Sequence, residues 1–217
     1  PYPVHDAILK VTGRATYTTD MKITGMLYGK ILFSPVAHAK IKHIDTSAAE
    51  QMEGVHAVCT FKKAPQTVFN SYQRFEGHAM LEDETIFSEE VRYVGDKIAA
   101  VSAETQEIAD QAIRKIKVEY EELPAVFTIE DANQTDAPRV HTHTVNRLKD
   151  TVLETGSIQD GFKNADHIFE DSFTTPAIYH AAMENHCSIA DYKPDNHVTV
   201  WTTTQNIFAT RMLLGKI

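Results

Sequence analysis

Between Tyr179 and Cys187 the chain reads YHAAMENHC, which gathers His180, Glu184, His186 and Cys187 within eight residues. Imidazole, carboxylate and thiolate are the donor types of zinc and related transition metals. On a helix, His180, Glu184 and Cys187 would share one face at spacings of four and three and could offer three ligands. The order is histidine-xxx-glutamate, however, and differs from HExxH, in which two imidazoles hold zinc and the glutamate activates water. No fourth ligand is evident nearby. If the stretch is extended, alternate residues share a face and the trio disperses; CSIADY, which follows, reads as a strand and favours that geometry. A buried His180 satisfied by Glu184 or by backbone is the bland alternative. The ligand count makes a protein-held metal the weaker reading, and no metal ligand is assigned.

Other chemistry finds less support in the spacing. The chain has no GxGxxG, GxxxxGK[ST] or GxSxG, which removes the usual dinucleotide, P-loop and hydrolase-elbow signatures. Ser157 and Ser172 lack an obvious base partner, and the pairs Glu89-Glu90 and Glu121-Glu122 read as solvated faces. Cys59 and Cys187 are too few for a disulfide framework or a four-cysteine zinc site and read as buried structural thiols. With 21 basic against 30 acidic residues the net charge is -9. Such a surface repels phosphate backbones and anionic lipid heads, so neither nucleic acid nor membrane is an expected partner. No run approaches the ~20 apolar residues of a membrane span, and the opening PYPVHDAILK lacks the layout of a secretory signal, so a cytoplasmic location is the default expectation.

The elements that would carry these residues fall into two regions. GMLYGKILFS, from Gly25 to Ser34, and AKIKHID, from Ala39 to Asp45, read as strands. Thr46 stands where a helix N-cap belongs, the short TSAAEQME segment stops at Gly54, and VHAVCTF resumes as a strand from Val55. The pattern recurs: KIAAVSA from Lys97 is a strand, Thr105 caps a helix with Ile108, Ala109, Ala112, Ile113 and Ile116 on one face, and KVEYEEL returns as a strand. Residues 64–90 between the two units have weak periodicity and read as an excursion or long loop.

After Pro124 the texture changes. ANQTDAPRVHTHTVNRLKD is polar and aperiodic, a linker or a strap over a surface, and the domain boundary is expected near Asp136, dividing the chain into 1–135 and 136–217. Beyond it HIFEDSFTTP, CSIADY and HVTVWTTT alternate as three strands. TQNIFATRMLLGKI then starts a helix with Ile207, Leu213, Leu214 and Ile217 as inward positions. About 80 residues bury only a marginal core, and apolar residues run to the last position, so the chain is expected to end inside a domain.

Five stretches of the first region together resemble a known family: VTGRATYTTD, SPVAHAKIKHID, GVHAV, VRYVGDKIAAVSAET and KVEYEELPAV, in that order. They resemble the α/β hammerhead domain that opens the large, molybdenum-binding subunit of the xanthine dehydrogenase and aldehyde oxidase family. YHAAMENHCSIADY followed by a strand and Thr204-Gln205-Asn206 resembles the start of that family's molybdopterin-binding region. The implied fold is α+β, an α/β hammerhead followed by an incomplete α+β molybdopterin-binding domain. The resemblance makes the His/Glu/Cys cluster a family marker in a cofactor-domain wall, the metal being molybdenum carried by the pterin. It matches Gln205 to the glutamine whose side-chain amide reaches an oxo ligand of the molybdenum, a contact that adds no charge and displaces no ligand. On spacing by itself Gln205 reads as a polar strand-end residue.

The activity so implied is oxidative hydroxylation of a purine, as in purine metabolism, of another N-heterocycle or of an aldehyde. Water supplies the oxygen, and electrons pass to 2Fe-2S and FAD centres on partner subunits or domains. The family's glycine-rich loop and catalytic glutamate do not occur in this chain and are expected beyond Ile217, so no catalytic residue is assigned and the chain is expected to be inactive by itself. Opening directly on the hammerhead implies an iron-sulfur subunit and an FAD subunit as partners, with the complete enzyme a homo-oligomer. Two rivals stand beside this reading. One is a non-catalytic scaffold that binds other subunits; the other is a small zinc enzyme built on His180, Glu184, His186 and Cys187.

Overall fold

A computed structural model describes residues 2, 4–75, 81–147 and 152–217. After a short helix α1 (Ala7–Val11), the first region contains β1 (Tyr28–Phe33), β2 (Ala39–Asp45), α2 (Ser47–Glu50) and β3 (Val55–Thr60). There follow β4 (Glu90–Val91), β5 (Lys97–Ala103), α3 (Gln106–Ile113) and β6 (Lys117–Glu122). The two strand-helix-strand units read from the sequence are both present. They do not build separate sheets, because each unit divides its strands between two three-stranded sheets, ordered β1-β5-β3 and β4-β2-β6. Every pairing is antiparallel.

This interlocking gives the two units one core. Ile41 and Ile44 of β2, Val58 of β3, Val91 of β4, Ile98 and Val101 of β5, and Ala112 and Ile113 of α3 form a single buried cluster. The near-continuous apolar run of KIAAVSA follows from β5 being the central strand of its sheet. Thr105 caps α3 as its type requires, accepting from the Ile108 amide at 3.2 Å. At α2 the capping differs from expectation. Thr46 holds the cap position, but its hydroxyl bonds Glu50, and the Ser47 amide is taken by the Asp45 carboxylate at 3.0 Å. Gly54 then reverses the chain into β3 at φ +81°, a left-handed conformation that disfavours any side chain.

The excursion expected over 64–90 is present up to β4, which takes Glu90, and is closed at its neck by a bridge between Phe69 and Glu84 and by the Asn70 amide on Leu81 O at 2.7 Å. Its residues 76–80 lie outside the described residues. The polar stretch after Pro124 begins with a one-turn helix α4 (Ile129–Ala132) and continues as a strap over the hammerhead. Arg92 Nε donates to Val140 O at 3.0 Å, and Asn146 closes the strap on itself through Val140 N and Pro138 O. The end of that stretch, 148–150, is again outside the described residues.

The second region contains α5 (Ile158–Lys163), β7 (Ser188–Tyr192), β8 (Val198–Thr202) and α6 (Ile207–Lys216). Two expectations fail here. HIFEDSFTTP is not a sheet strand: among the described residues no neighbour takes up its backbone hydrogen bonds, and Phe169 and Phe173 are 88% and 89% exposed. On α6 the buried residue is Ala209; of the four positions expected to face inward Leu213 and Ile217 are half-buried, whereas Ile207 and Leu214 are 62% and 49% exposed. Both border an open cleft of about 570 Å³ that separates the helix from β8, so their side chains meet no close-packed layer. Helix α5 was not expected; Ser157 is its N-cap, accepting from the Asp160 amide at 3.2 Å. Among the described residues no helix is long and apolar enough to cross a membrane.

Candidate functional site

The β7-β8 pair is antiparallel, with Ser188 opposite Thr202 and Tyr192 opposite Val198. Just past the ladder, Thr203 continues it by one further step: its amide donates to Cys187 O and its hydroxyl accepts from the Cys187 amide, each at 3.1 Å. The chain then turns sharply, with Thr204 N on Thr202 O at 3.0 Å, and Gln205 occupies the bend before α6. Asn206 is the helix N-cap, its Oδ1 accepting from the Ala209 amide at 3.1 Å. Thr204 Oγ1 accepts from the Asn206 amide at 3.2 Å.

Within Thr204-Gln205-Asn206 the outer two side chains are therefore committed to the turn. Gln205 is exposed, and among the described residues its carboxamide has no hydrogen-bond partner. At this strand-to-helix turn the carboxamide is a neutral hydrogen-bond donor that brings no charge. Gln205 does not border the cleft between β8 and α6, whose lining of Val198, Val200, Ile207 and Leu214 is largely apolar. Asn206 was not singled out as a cap from sequence, although an asparagine immediately before an apolar helical run is the signal that marks one.

The YHAAMENHC stretch is neither helix nor strand, with bends at Met183 and Glu184 and a positive φ of 50° at Ala181, so the helical face that would gather His180, Glu184 and Cys187 does not form. His180, Glu184 and His186 are exposed and Cys187 is half-buried. Among the described residues no three His, Cys, Asp or Glu side chains are grouped so as to hold a metal ion. Both cysteines are free and only half-buried.

A second polar cluster lies under the strap. Contrary to the solvated face read from Glu89-Glu90, the Glu90 carboxylate is enclosed between His38 Nε2 and Arg92 Nη2, each at 3.4 Å. His38 is buried and its Nδ1 lies 2.7 Å from Pro124 O, which ties β2 to the chain leaving β6. His141 Nε2 lies 3.4 Å from Asp83, yet burial and the nearby Arg92 guanidinium lower its pKa more strongly than Asp83 raises it. Asp96 uses both carboxylate oxygens on the Arg92 and Lys97 amides, at 3.1 and 2.8 Å. His38, Glu90, Arg92 and Asp96 are thus partnered within the chain, and the Arg92 bond to Val140 O ties the strap to the hammerhead.

Residues 12–124 match the family model described as aldehyde oxidase and xanthine dehydrogenase, a/b hammerhead domain, and residues 140–217 match the molybdopterin cofactor-binding domain. A probable xanthine dehydrogenase subunit of Bacillus subtilis is 39% identical over 208 residues, 96% of this chain and 27% of that protein. The xanthine dehydrogenase molybdenum-binding subunit of Escherichia coli O157:H7 is 34% identical over 219 residues, 97% of this chain and 28% of that protein. In structure the chain is similar to the aldehyde oxidoreductase of Desulfovibrio gigas, with a TM-score of 0.78 and 31% identity over 93% of this chain and 23% of the other. The chain thus spans roughly a quarter of the length of these proteins.

Proposed function

Since this chain belongs to the aldehyde oxidase and xanthine dehydrogenase family, we propose that it supplies the hammerhead and the opening of the molybdopterin-binding domain to a molybdenum hydroxylase. The division is drawn near Asp136, within the strap, between the two family matches. The enzyme oxidatively hydroxylates a purine, another N-heterocycle or an aldehyde, with oxygen from water. When bound, the pterin-held molybdenum supplies the two-electron redox chemistry. In this reading Gln205 is the residue of this chain that faces the cofactor, as a neutral hydrogen-bond donor to an oxo ligand. No residue of this chain is assigned as catalytic, and the chain covers 27% and 28% of two such relatives, so the proposed activity is that of the complete enzyme.

Two relatives that are each named as one subunit of a xanthine dehydrogenase, one of them the molybdenum-binding subunit, support a multi-subunit enzyme. The partners proposed are an iron-sulfur subunit and an FAD subunit, in a homo-oligomeric assembly of cytoplasmic location. The observation that carries the role of Gln205 is its exposed carboxamide, without a hydrogen-bond partner among the described residues, at a turn whose neighbouring side chains are engaged. In the complete, molybdenum-loaded enzyme, Gln205→Ala is expected to cut turnover by ~10- to 100-fold, the usual effect of removing a group that supports a metal's ligands, with subunit assembly intact. Native turnover with intact assembly would instead support a scaffold role for this part of the chain.

A further inference from the structure

We propose that Thr204 and Thr210 are positioning residues for Gln205; the proposal rests on the cofactor-facing role of Gln205 given above. Three groups close a ring around the turn. The Asn206 amide donates to Thr204 Oγ1 at 3.2 Å, Thr204 Oγ1 lies 3.2 Å from Thr210 Oγ1, and Thr210 Oγ1 donates to Asn206 O at 2.9 Å. A hydroxyl has one proton and two lone pairs. Thr210 spends its proton on the Asn206 carbonyl, so in the contact between the two threonines Thr204 must donate. The ring therefore has one direction: Asn206 N–H to Thr204 O–H, on to Thr210 O–H, and back to Asn206 C=O.

The Asn206 amide belongs to the peptide that leaves Gln205, and Thr204 is the residue that enters it. Both sides of position 205 are thus tied to the first turn of α6, while the Thr204 amide is held to β8 through Thr202 O. Thr204, Asn206 and Thr210 are half-buried, where a chain of aligned hydrogen bonds is stronger than in water and an unmade one is costlier. The carboxamide of Gln205 takes no part in the ring. Its aim is set by a backbone it does not itself hold, which is how a group is kept ready for a contact made elsewhere.

The test is a double-mutant cycle in the complete, molybdenum-loaded enzyme, with variants matched for molybdenum content. Thr204→Val keeps the shape and removes the hydroxyl. It is expected to lower kcat by ~10-fold or more at little-changed KM, since even a misplacement of ~1 Å can cost 100-fold, and to alter the electron paramagnetic resonance spectrum of the molybdenum. Thr204→Ser is expected to restore both, and Thr210→Val, which opens the ring at another point, to reproduce the loss. In a Gln205→Ala background Thr204→Val should add almost nothing. Native kcat and spectrum for both valine variants, or losses that multiply in full with Gln205→Ala, would overturn the positioning role. A Gln205→Ala enzyme with native turnover and spectrum would overturn the cofactor-facing role itself, and so distinguishes that failure from this one.

Discussion

Replacing Gly54 by alanine tests whether the turn between α2 and β3 demands glycine for two separable reasons. The first is the backbone: Gly54 has φ +81°, where an L-residue costs ~1–2 kcal/mol. The second is space, because a Cβ there would lie 2.7 Å from Ile108 Cδ1 on α3, well inside contact distance. That atom is the far end of a side chain that can rotate, so the neighbour gives way by leaving its rotamer, at ~0.5–1.5 kcal/mol. The turn cannot simply move off, since Gly54 O accepts the Glu104 amide at 2.9 Å at the end of β5. The sum is roughly 1.5–3.5 kcal/mol, which should speed amide exchange of the β5 core, residues 97–103, by ~10- to 300-fold under conditions where exchange reports the opening equilibrium. Ile108→Ala in the same background should recover the steric part. Additivity within ~0.3–0.5 kcal/mol would refute the contact, and native exchange in Gly54→Ala would refute both halves of the reasoning.

The strap should loosen in acid. Because burial and Arg92 hold the His141 pKa below its ordinary value, the folded chain favours neutral imidazole. The strap's stability is then fully present above the unfolded pKa of ~6.5 and is lost as pH falls from there through the lowered folded value. Amide exchange of 138–147, corrected for its intrinsic pH dependence, should accelerate over that window and flatten in His141→Gln; an unchanged profile in the variant would rule out this histidine as the cause. In the hammerhead core, Ile98 is fully buried in the central strand, so Ile98→Ala should destabilise by ~2–5 kcal/mol and Ile98→Val by ~0.5–1.5 kcal/mol in chemical denaturation.

Where a segment's environment is repeated along it, its pattern was readable. Alternation along AKIKHID located β2 at its observed bounds, and the apolar run KIAAVSA did the same for β5. Thr105 was legible because a cap acts on an amide three residues away. HIFEDSFTTP has the same alternation and is not a strand, since a strand also needs a partner and its sequence says nothing about one. Glu90 looked like half of a solvated pair for the same reason: His38 and Arg92, which enclose it, come from outside that pair.

The candidate site divides along the same line. That Gln205 stands where a strand gives way to a helix follows from short-range pattern, and its match to a cofactor-facing glutamine rested on resemblance of the residues around it. The sequence by itself determined the order and type of most hammerhead elements, because hydrophobic periodicity, caps and stops act over a few residues. Only the tertiary structure decided that the two strand-helix-strand units exchange strands, that the strap is clamped by Arg92 and His141, and that Thr204, Asn206 and Thr210 close a ring beside Gln205. Those outcomes depend on which surfaces and hydrogen-bonding groups meet in space, and chain order does not encode that in any local pattern.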